Sequence, residues 1–161
     1  MRPENHPQEL LTRTALGVFR LNGQFLSVSD DLAREAGLTA ARWQVLGAVV
    51  REPRTVAGIA RAMGITRQSV QRIADLLAGQ GLAEYGPNPA HRRAKLLHAT
   101  DEGRAAIGKI DPGHAWLAGR LESALGTEQF AETARVLEQL SEALDSISEE
   151  SPETPGRSPR P

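Results

Sequence analysis

The sequence predicts a mainly α-helical fold in which two short helices, joined by a tight turn, lead into one β-hairpin, with longer helices at both ends of the chain. Three observations carry this. Residues 55–79 hold two apolar stripes at helical spacing, parted by Gly64 and Thr66. Directly after them the pattern shifts from helical to strand-like on either side of a turn rich in Pro and Asn. Finally, 40% of the 161 residues are hydrophobic but only 4% aromatic, so the core must be built from Leu, Ala, Val and Ile.

Taken in order, residues 1–8 are polar, contain Pro3 and Pro7, and are expected to be a flexible N-terminus rather than a signal peptide. A first helix is expected from Glu9 to about Phe25, where Leu11, Ala15, Val18 and Phe25 recur on one side and Leu10, Phe19, Leu21 and Leu26 widen the apolar face. Residues 27–37 read as a short mixed segment in which Ser29 or Asp30 caps a turn or two of helix, ended by Gly37. Thr39 then caps a helix with Trp43, Leu46, Val49 and Val50 on its apolar face, broken by Pro53. Thr55 opens a short helix whose Val56, Ile59, Ala60 and Met63 face inward and which Gly64 closes. Ile65 is expected to plug the space between this helix and the next, which Thr66 caps and Gly79 and Gly81 end. Val70, Ile73 and Leu77 mark its inner side, with Leu76 in the same stripe. The hairpin follows as "LAEYG", "PNPAH" and "RRAKLLH", read as strand, turn and strand. Thr100 caps a further helix, with a kink or break expected at Asp111–Gly113 because Pro112 lacks an N–H. A last helix begins after Thr127, and residues 148–161 are expected to be disordered.

The chain has no cysteine, which excludes disulfides and thiolate metal sites. No stretch approaches the roughly 20 apolar residues of a membrane span. The four histidines, His6, His91, His98 and His114, make no compact metal motif, so neither a metal nor another cofactor is expected. No nucleophile triad, phosphate loop or carboxylate motif stands out, and the chain does not read as an enzyme.

The net charge of -1 conceals an asymmetry. Residues 51–95 hold eight basic and three acidic residues, a balance of +5, whereas residues 121–150 hold one basic and eight acidic, a balance of -7. The basic part coincides with the two short helices and the hairpin. Helix, tight turn, helix and hairpin together are a winged helix-turn-helix. The second helix presents Arg67, Gln68, Ser69, Gln71 and Arg72 outward near its N-terminus, side chains suited to base edges. Thr55, Thr66, Arg92, Arg93 and Lys95 complete the candidate DNA-binding set, the last three on the hairpin.

The stretches "LTAARWQVLGAVV", "TVAGIARAMGITRQSVQRIADLLAGQGLAEY", "NPAHRRAKLLHATDEGRAAI" and "LGTEQFAETARVLEQL" together resemble the MarR family of winged helix-turn-helix transcriptional regulators, over about residues 10–147. The resemblance implies a homodimer on pseudo-palindromic double-stranded DNA, with the helix holding Arg67–Arg72 in the major groove and Arg93 at the wing tip. The family usually places an acidic residue two positions before that arginine, where this chain has His91, and its Leu-Thr helix opening is here Ala99-Thr100. Leu11, Val18, Phe130, Leu137, Leu140, Leu144 and Ile147 are the expected dimer contacts, because apolar faces on terminal helices need a partner.

One domain is therefore expected over residues 9–147, with a DNA-binding lobe at 39–99 and dimerisation helices at 9–26 and 101–147. The expected function is a cytoplasmic, nucleoid-associated dimeric repressor. The resemblance implies release from its operator by a small aromatic or anionic ligand, with Trp43, His114 and Trp116 as candidate pocket residues for which plain packing is the competing role. The alternative function is a winged-helix protein-interaction module without specific DNA binding.

Overall fold

The computed structural model describes residues 6–149. Helix α1 runs Pro7–Ala33 and a 3-10 turn covers Arg34–Ala36. Then come α2 (Ala40–Val50), β1 (Arg54–Thr55), α3 (Val56–Met63), α4 (Arg67–Gly79), β2 (Ala83–Gly86), β3 (Leu96–Ala99), α5 (Asp101–Leu125) and α6 (Thr127–Glu149). The chain divides into two compact units, the first ending at His114 and the second beginning at Ala115. None of these helices is long and apolar enough to cross a membrane.

In the first unit the core is aliphatic. Val45, Leu46 and Val49 of α2 meet Ile59 and Ala60 of α3, Val70, Ile73, Ala74 and Leu77 of α4, Leu97 of β3 and Ile110 of α5. Threonine hydroxyls start the helices that shape it. Thr39, Thr55 and Thr66 accept from the N–H of Arg42, Gly58 and Ser69 respectively, satisfying amides that have no partner within their helix. At the end of α3, Gly64 turns left-handed with φ 65°. Its N–H reaches Arg61 O and the N–H of Ile65 reaches Ala60 O, the double closure that glycine permits.

The strands form one antiparallel sheet in the order β1, β3, β2. Arg54 pairs with Leu97, and Tyr85 pairs with Leu97 from the other side. Strand β1 was not anticipated, since two residues after a proline show no period. The second hairpin strand begins only at Leu96, so Arg92, Arg93 and Lys95 lie in the connecting loop rather than in a strand.

Other expectations are corrected. Helix α1 starts at Pro7, where proline's fixed φ and missing N–H suit a first helical position, and it continues through residues 27–33 without a new cap. Asp30 does not cap its own segment: its Oδ1 accepts from Ala40 N–H at 2.6 Å, at the positive end of α2. Gly37 does end the segment, with φ 68°. Ile65 is not part of the buried core, being 40% exposed, and Leu76 is 43% exposed; the turn at Gly64 commits the Ile65 N–H to Ala60 O. Helix α5 runs through Pro112 without a break. One missing N–H is carried by the bonds on either side, and α5 is packed there: a Cβ on Gly113 would meet Leu32 Cδ2 at 2.7 Å. Ser148 and Glu149 are helical. Residues 1–5 of the expected flexible N-terminus and 150–161 of the expected tail lie outside the described residues.

Helix α5 begins in a tight junction. Thr100 Oγ1 donates to Gly81 O at 2.6 Å and accepts from Gly103 N–H at 3.1 Å. Thr100 N–H donates to Leu82 O at 3.1 Å. A Cβ on Gly103 would lie 2.0 Å from that same carbonyl oxygen, whereas one on Gly108 would meet nothing within 4 Å. Gly103→Ala is therefore expected to destabilise the fold by about 3 kcal/mol. Gly108→Ala, on the same helix, should stabilise it by roughly 0.5–1 kcal/mol. Urea unfolding midpoints check the opposite signs; equal shifts would contradict the close approach.

Candidate nucleic-acid interface

Thr66 fixes where α4 starts and hence what its first turn displays. Its hydroxyl oxygen accepts from Ser69 N–H at 3.1 Å, and its hydrogen goes to Ser69 Oγ at 2.9 Å. Arg67 and Gln68 follow, both exposed, with Arg72 exposed one turn on and Ser69 partly covered. On the opposite side Val70, Ile73, Ala74 and Leu77 are buried. The core thus holds the helix by one side and turns the polar first turns outward.

The hairpin loop is built from backbone turns. Asn88 Oδ1 accepts from Ala90 N–H at 3.0 Å, Asn88 O accepts from His91 N–H at 3.2 Å, and His91 O accepts from Ala94 N–H at 3.2 Å. Arg92 and Arg93 project from this stack of turns and are exposed, as is the His91 side chain. Among the described residues, Arg34, Arg54, Arg104 and Arg135 have carboxylate partners. Among the same residues, Arg67, Arg72, Arg92, Arg93 and Lys95 have none within 4.0 Å. The cations of α4 and the loop are therefore not neutralised by carboxylates of the described residues.

Two clefts join these pieces. One, of about 340 Å³, is lined by Thr55, Val56, Ala57, Gln71, Tyr85, Arg93, Ala94 and Lys95. The other, of about 450 Å³, is lined by Tyr85, Gly86, Pro87, Asn88, Arg92 and Lys95. Four of the residues singled out from sequence, Thr55, Gln71, Arg93 and Lys95, thus share one cleft. Thr55 is half-buried and its hydroxyl is committed to Gly58 N–H at 3.0 Å. Trp43 and His114 meet edge to face, ring centroids 5.7 Å apart. Trp116 lies in the second unit and is 67% exposed.

Sequence reasoning missed Asp75 and Tyr85. Gln71 Nε2 donates to Asp75 Oδ1 at 2.9 Å and to the Tyr85 hydroxyl oxygen at 2.8 Å, while that hydroxyl donates to Asp75 Oδ1 at 2.6 Å. The i,i+4 spacing of Gln71 and Asp75 was the available signal; Tyr85 arrives from another element and left none. Hydrogen bonds from Tyr85 first and Gln71 second hold the Asp75 carboxyl below its ordinary range. Burial, then the Asp75 carboxylate, push the Tyr85 phenol up to about 12.

These shifts have opposite signs in pH. The phenol contributes stability that is complete below its ordinary pKa of 10.0 and is lost as pH rises toward about 12. The carboxylate contributes stability that is present above 3.8 and is lost as pH falls through its lowered pKa. The chain has one tyrosine, so near-ultraviolet absorbance titrates Tyr85 alone. A midpoint near 12 is expected, moving toward 10 in Asp75→Ala; a wild-type midpoint at the ordinary value would show that the three groups are not joined.

Residues 36–94 match the model of the MarR family. An uncharacterized protein of Mycobacterium tuberculosis is 36% identical over 134 residues, 83% of this chain and 94% of the relative. A relative from Mycobacterium bovis matches to the same extent. Among solved structures, a mutant MarR from E. coli complexed with operator DNA superposes with a TM-score of 0.71 at 19% identity, covering 84% of this chain and 99% of that one. Bordetella bronchiseptica BpsR, a protein whose DNA binding is regulated by 6-hydroxynicotinic acid, superposes with a TM-score of 0.68 at 20% identity, covering 80% and 98%. With its helix-turn-helix, its hairpin wing and relatives of this identity, the chain belongs to the MarR family of winged helix-turn-helix regulators.

Proposed function

We propose that this protein is a sequence-specific regulator of transcription that binds double-stranded DNA as a homodimer. The observation that carries the reading is the α4 surface. Arg67, Gln68 and Arg72 are exposed there, and among the described residues neither arginine has a carboxylate partner, nor do Arg92, Arg93 and Lys95 of the wing. Helix α4 enters the major groove, with Arg67, Gln68, Ser69, Gln71 and Arg72 at base edges. Arg92, Arg93 and Lys95 reach flanking phosphates or the adjacent minor groove. Thr66 and Thr55 hold the two helices at the correct start, and the Thr55 hydroxyl, which accepts from Gly58 N–H, keeps its own hydrogen for a phosphate.

The dimer reading rests on apolar side chains left uncovered on each terminal helix. In α1, Leu11 is 65% and Val18 38% exposed. In α6, Leu137, Leu144 and Ile147 are 43%, 54% and 61% exposed, with Phe130 and Leu140 partly covered. Surface of this kind calls for a partner. Light scattering should give twice 17.4 kDa, and Leu144→Glu with Ile147→Glu should return the monomer mass and abolish tight operator binding. A wild-type monomer at micromolar concentration would end the dimer reading.

The protein acts as a repressor released by a small aromatic or anionic ligand, a reading supported by the regulation of BpsR by 6-hydroxynicotinic acid. Two recognition helices must reach successive major grooves about 34–36 Å apart, and a ligand that favours another spacing releases DNA. Trp43 with His114, and separately Trp116, are the proposed responsive residues. Aryl carboxylates titrated into a preformed operator complex test this, with tryptophan fluorescence as a second readout; DNA affinity unmoved by every compound refutes it.

DNA selected from a random pool tests the main reading. Arg67→Ala and Arg72→Ala should each lose about 1–3 kcal/mol of preference at one base position. Arg93→Ala should weaken all sequences alike and lower the salt slope by about 0.9 for each phosphate it leaves unneutralised. Equal binding by wild type and the Arg67→Ala, Arg72→Ala double variant would refute the placement of α4, and no selected sequence at all would favour a protein-interaction module instead.

A further inference from the structure

Gln71 meets two oxygens that are themselves bonded to each other. The Asp75 carboxylate can only accept, and the Tyr85 phenol gives its one hydrogen to Asp75 Oδ1 at 2.6 Å. Both therefore meet Gln71 as acceptors, at 2.9 Å and 2.8 Å from Nε2. Two oxygens so close together subtend far less than the angle between the two N–H bonds of a planar amide, so they share one N–H. Of the two N–H groups, one lies beside the carbonyl of the amide and the other points away from it. The second suits the pair better, because Oε1 then stays clear of both electron-rich oxygens. Near neutral pH the arrangement keeps its sense. Hydrogen bonds from Tyr85 and then Gln71 hold the Asp75 carboxyl below its ordinary range, and burial, then Asp75, pushes the phenol up to about 12.

Gln71 is exposed and lines the cleft that it shares with Arg93 and Lys95 of the wing loop. Its Oε1 and the N–H beside it are left for an outside partner, as one edge carrying an acceptor and a donor. We propose that Asp75 and Tyr85 are positioning residues that hold the Gln71 amide in one sense and so select adenine. In the major groove adenine meets such an edge twice, giving N6–H to the acceptor and N7 to the donor. Guanine offers two acceptors, N7 and O6, while cytosine offers N4–H and thymine O4. An unanchored glutamine can turn its amide over at little cost and put an N–H where Oε1 stood, which admits guanine or thymine. Turned over here, Oε1 would face the Asp75 carboxylate and the phenol oxygen with no hydrogen between them. The anchor thus acts against the wrong bases more than for the right one. This inference rests on the proposed reading of α4 as the helix in the major groove.

Binding to a library of operators randomised at every position tests it, for wild type, Gln71→Ala, Asp75→Asn and Tyr85→Phe. Wild type should show one position in each half-site where adenine exceeds every other base, guanine by about thirtyfold. Gln71→Ala should flatten that position. Asp75→Asn keeps the shape of the carboxylate but can present either an oxygen or an N–H, and it frees the phenol hydrogen for Gln71. The amide can then turn over, and the ratio of adenine to guanine should fall about tenfold. Tyr85→Phe removes one of the two oxygens and should lower the same ratio by a smaller factor, so it carries the test should Asp75→Asn not fold. A merely structural role would lower binding to all sequences and leave the ratio of adenine to guanine where it was. That result, or a wild type that treats adenine and cytosine alike at the position that Gln71→Ala flattens, overturns the inference while the regulator reading stands. So does Gln71→Ala flattening no position in a sequence-selective wild type. A wild type without sequence preference overturns both.

Discussion

The contact of Gly103 with the Leu82 carbonyl is the constraint through which α4, the hairpin and α5 hang together. Leu82 links the end of α4 to β2, and Gly103 lies in the first turn of α5. Thr100 ties the same two places by bonding Gly81 O and Gly103 N–H through one hydroxyl. The end of α4, both hairpin strands and the start of α5 thus converge within a few residues. The wing cannot tilt without moving this junction, and α4 cannot rotate without disturbing the carbonyl against which α5 rests. No side chain larger than hydrogen fits at Gly103, which is why the position is set by backbone approach and not by helix propensity.

Charge is distributed to suit that mechanical arrangement. The acidic surplus of residues 121–150 belongs to the second unit, while the basic surplus of 51–95 belongs to the first. The acids placed on α4 and β2, Asp75 and Glu84, pair with none of these cations among the described residues. Asp75 is taken by Gln71 and Tyr85, and Glu84 faces His98 across the sheet without an ion pair among the described residues. The cations that remain are screened by salt and not, among the described residues, by neighbouring carboxylates, so their field extends into the solvent.

Much of this was legible because helix starts are local. Thr39, Thr55, Thr66 and Thr100 each announced a helix by a hydroxyl three residues before the amide it satisfies, and Gly37 and Gly64 announced ends by the backbone they alone adopt cheaply. What was illegible depended on distant parts of the chain. Asp30 looked like the cap of its own segment but serves Ala40, ten residues on. Pro112 looked like a break but lies beside Gly113, where α5 is pressed onto Leu32 of α1. Strand β1 exists only because β3 is beside it. The candidate site divided the same way: the exposed cations of α4 were visible from periodicity, whereas the commitment of Gln71 needed Tyr85 from β2.

The α4 surface therefore mixes two kinds of side chain. Arg67 and Arg72 are long, exposed and free to sample many rotamers, and ordering such a side chain on DNA costs about 0.5–1.5 kcal/mol each. Gln71 has already given up that freedom to its neighbours in the free protein. An attempt to retarget the protein meets this difference directly. Positions 67 and 72 are modular, since a new side chain there displaces no existing bond. Position 71 is not, since a replacement there removes the amide that bonds both Asp75 and Tyr85 and leaves them only the bond between themselves.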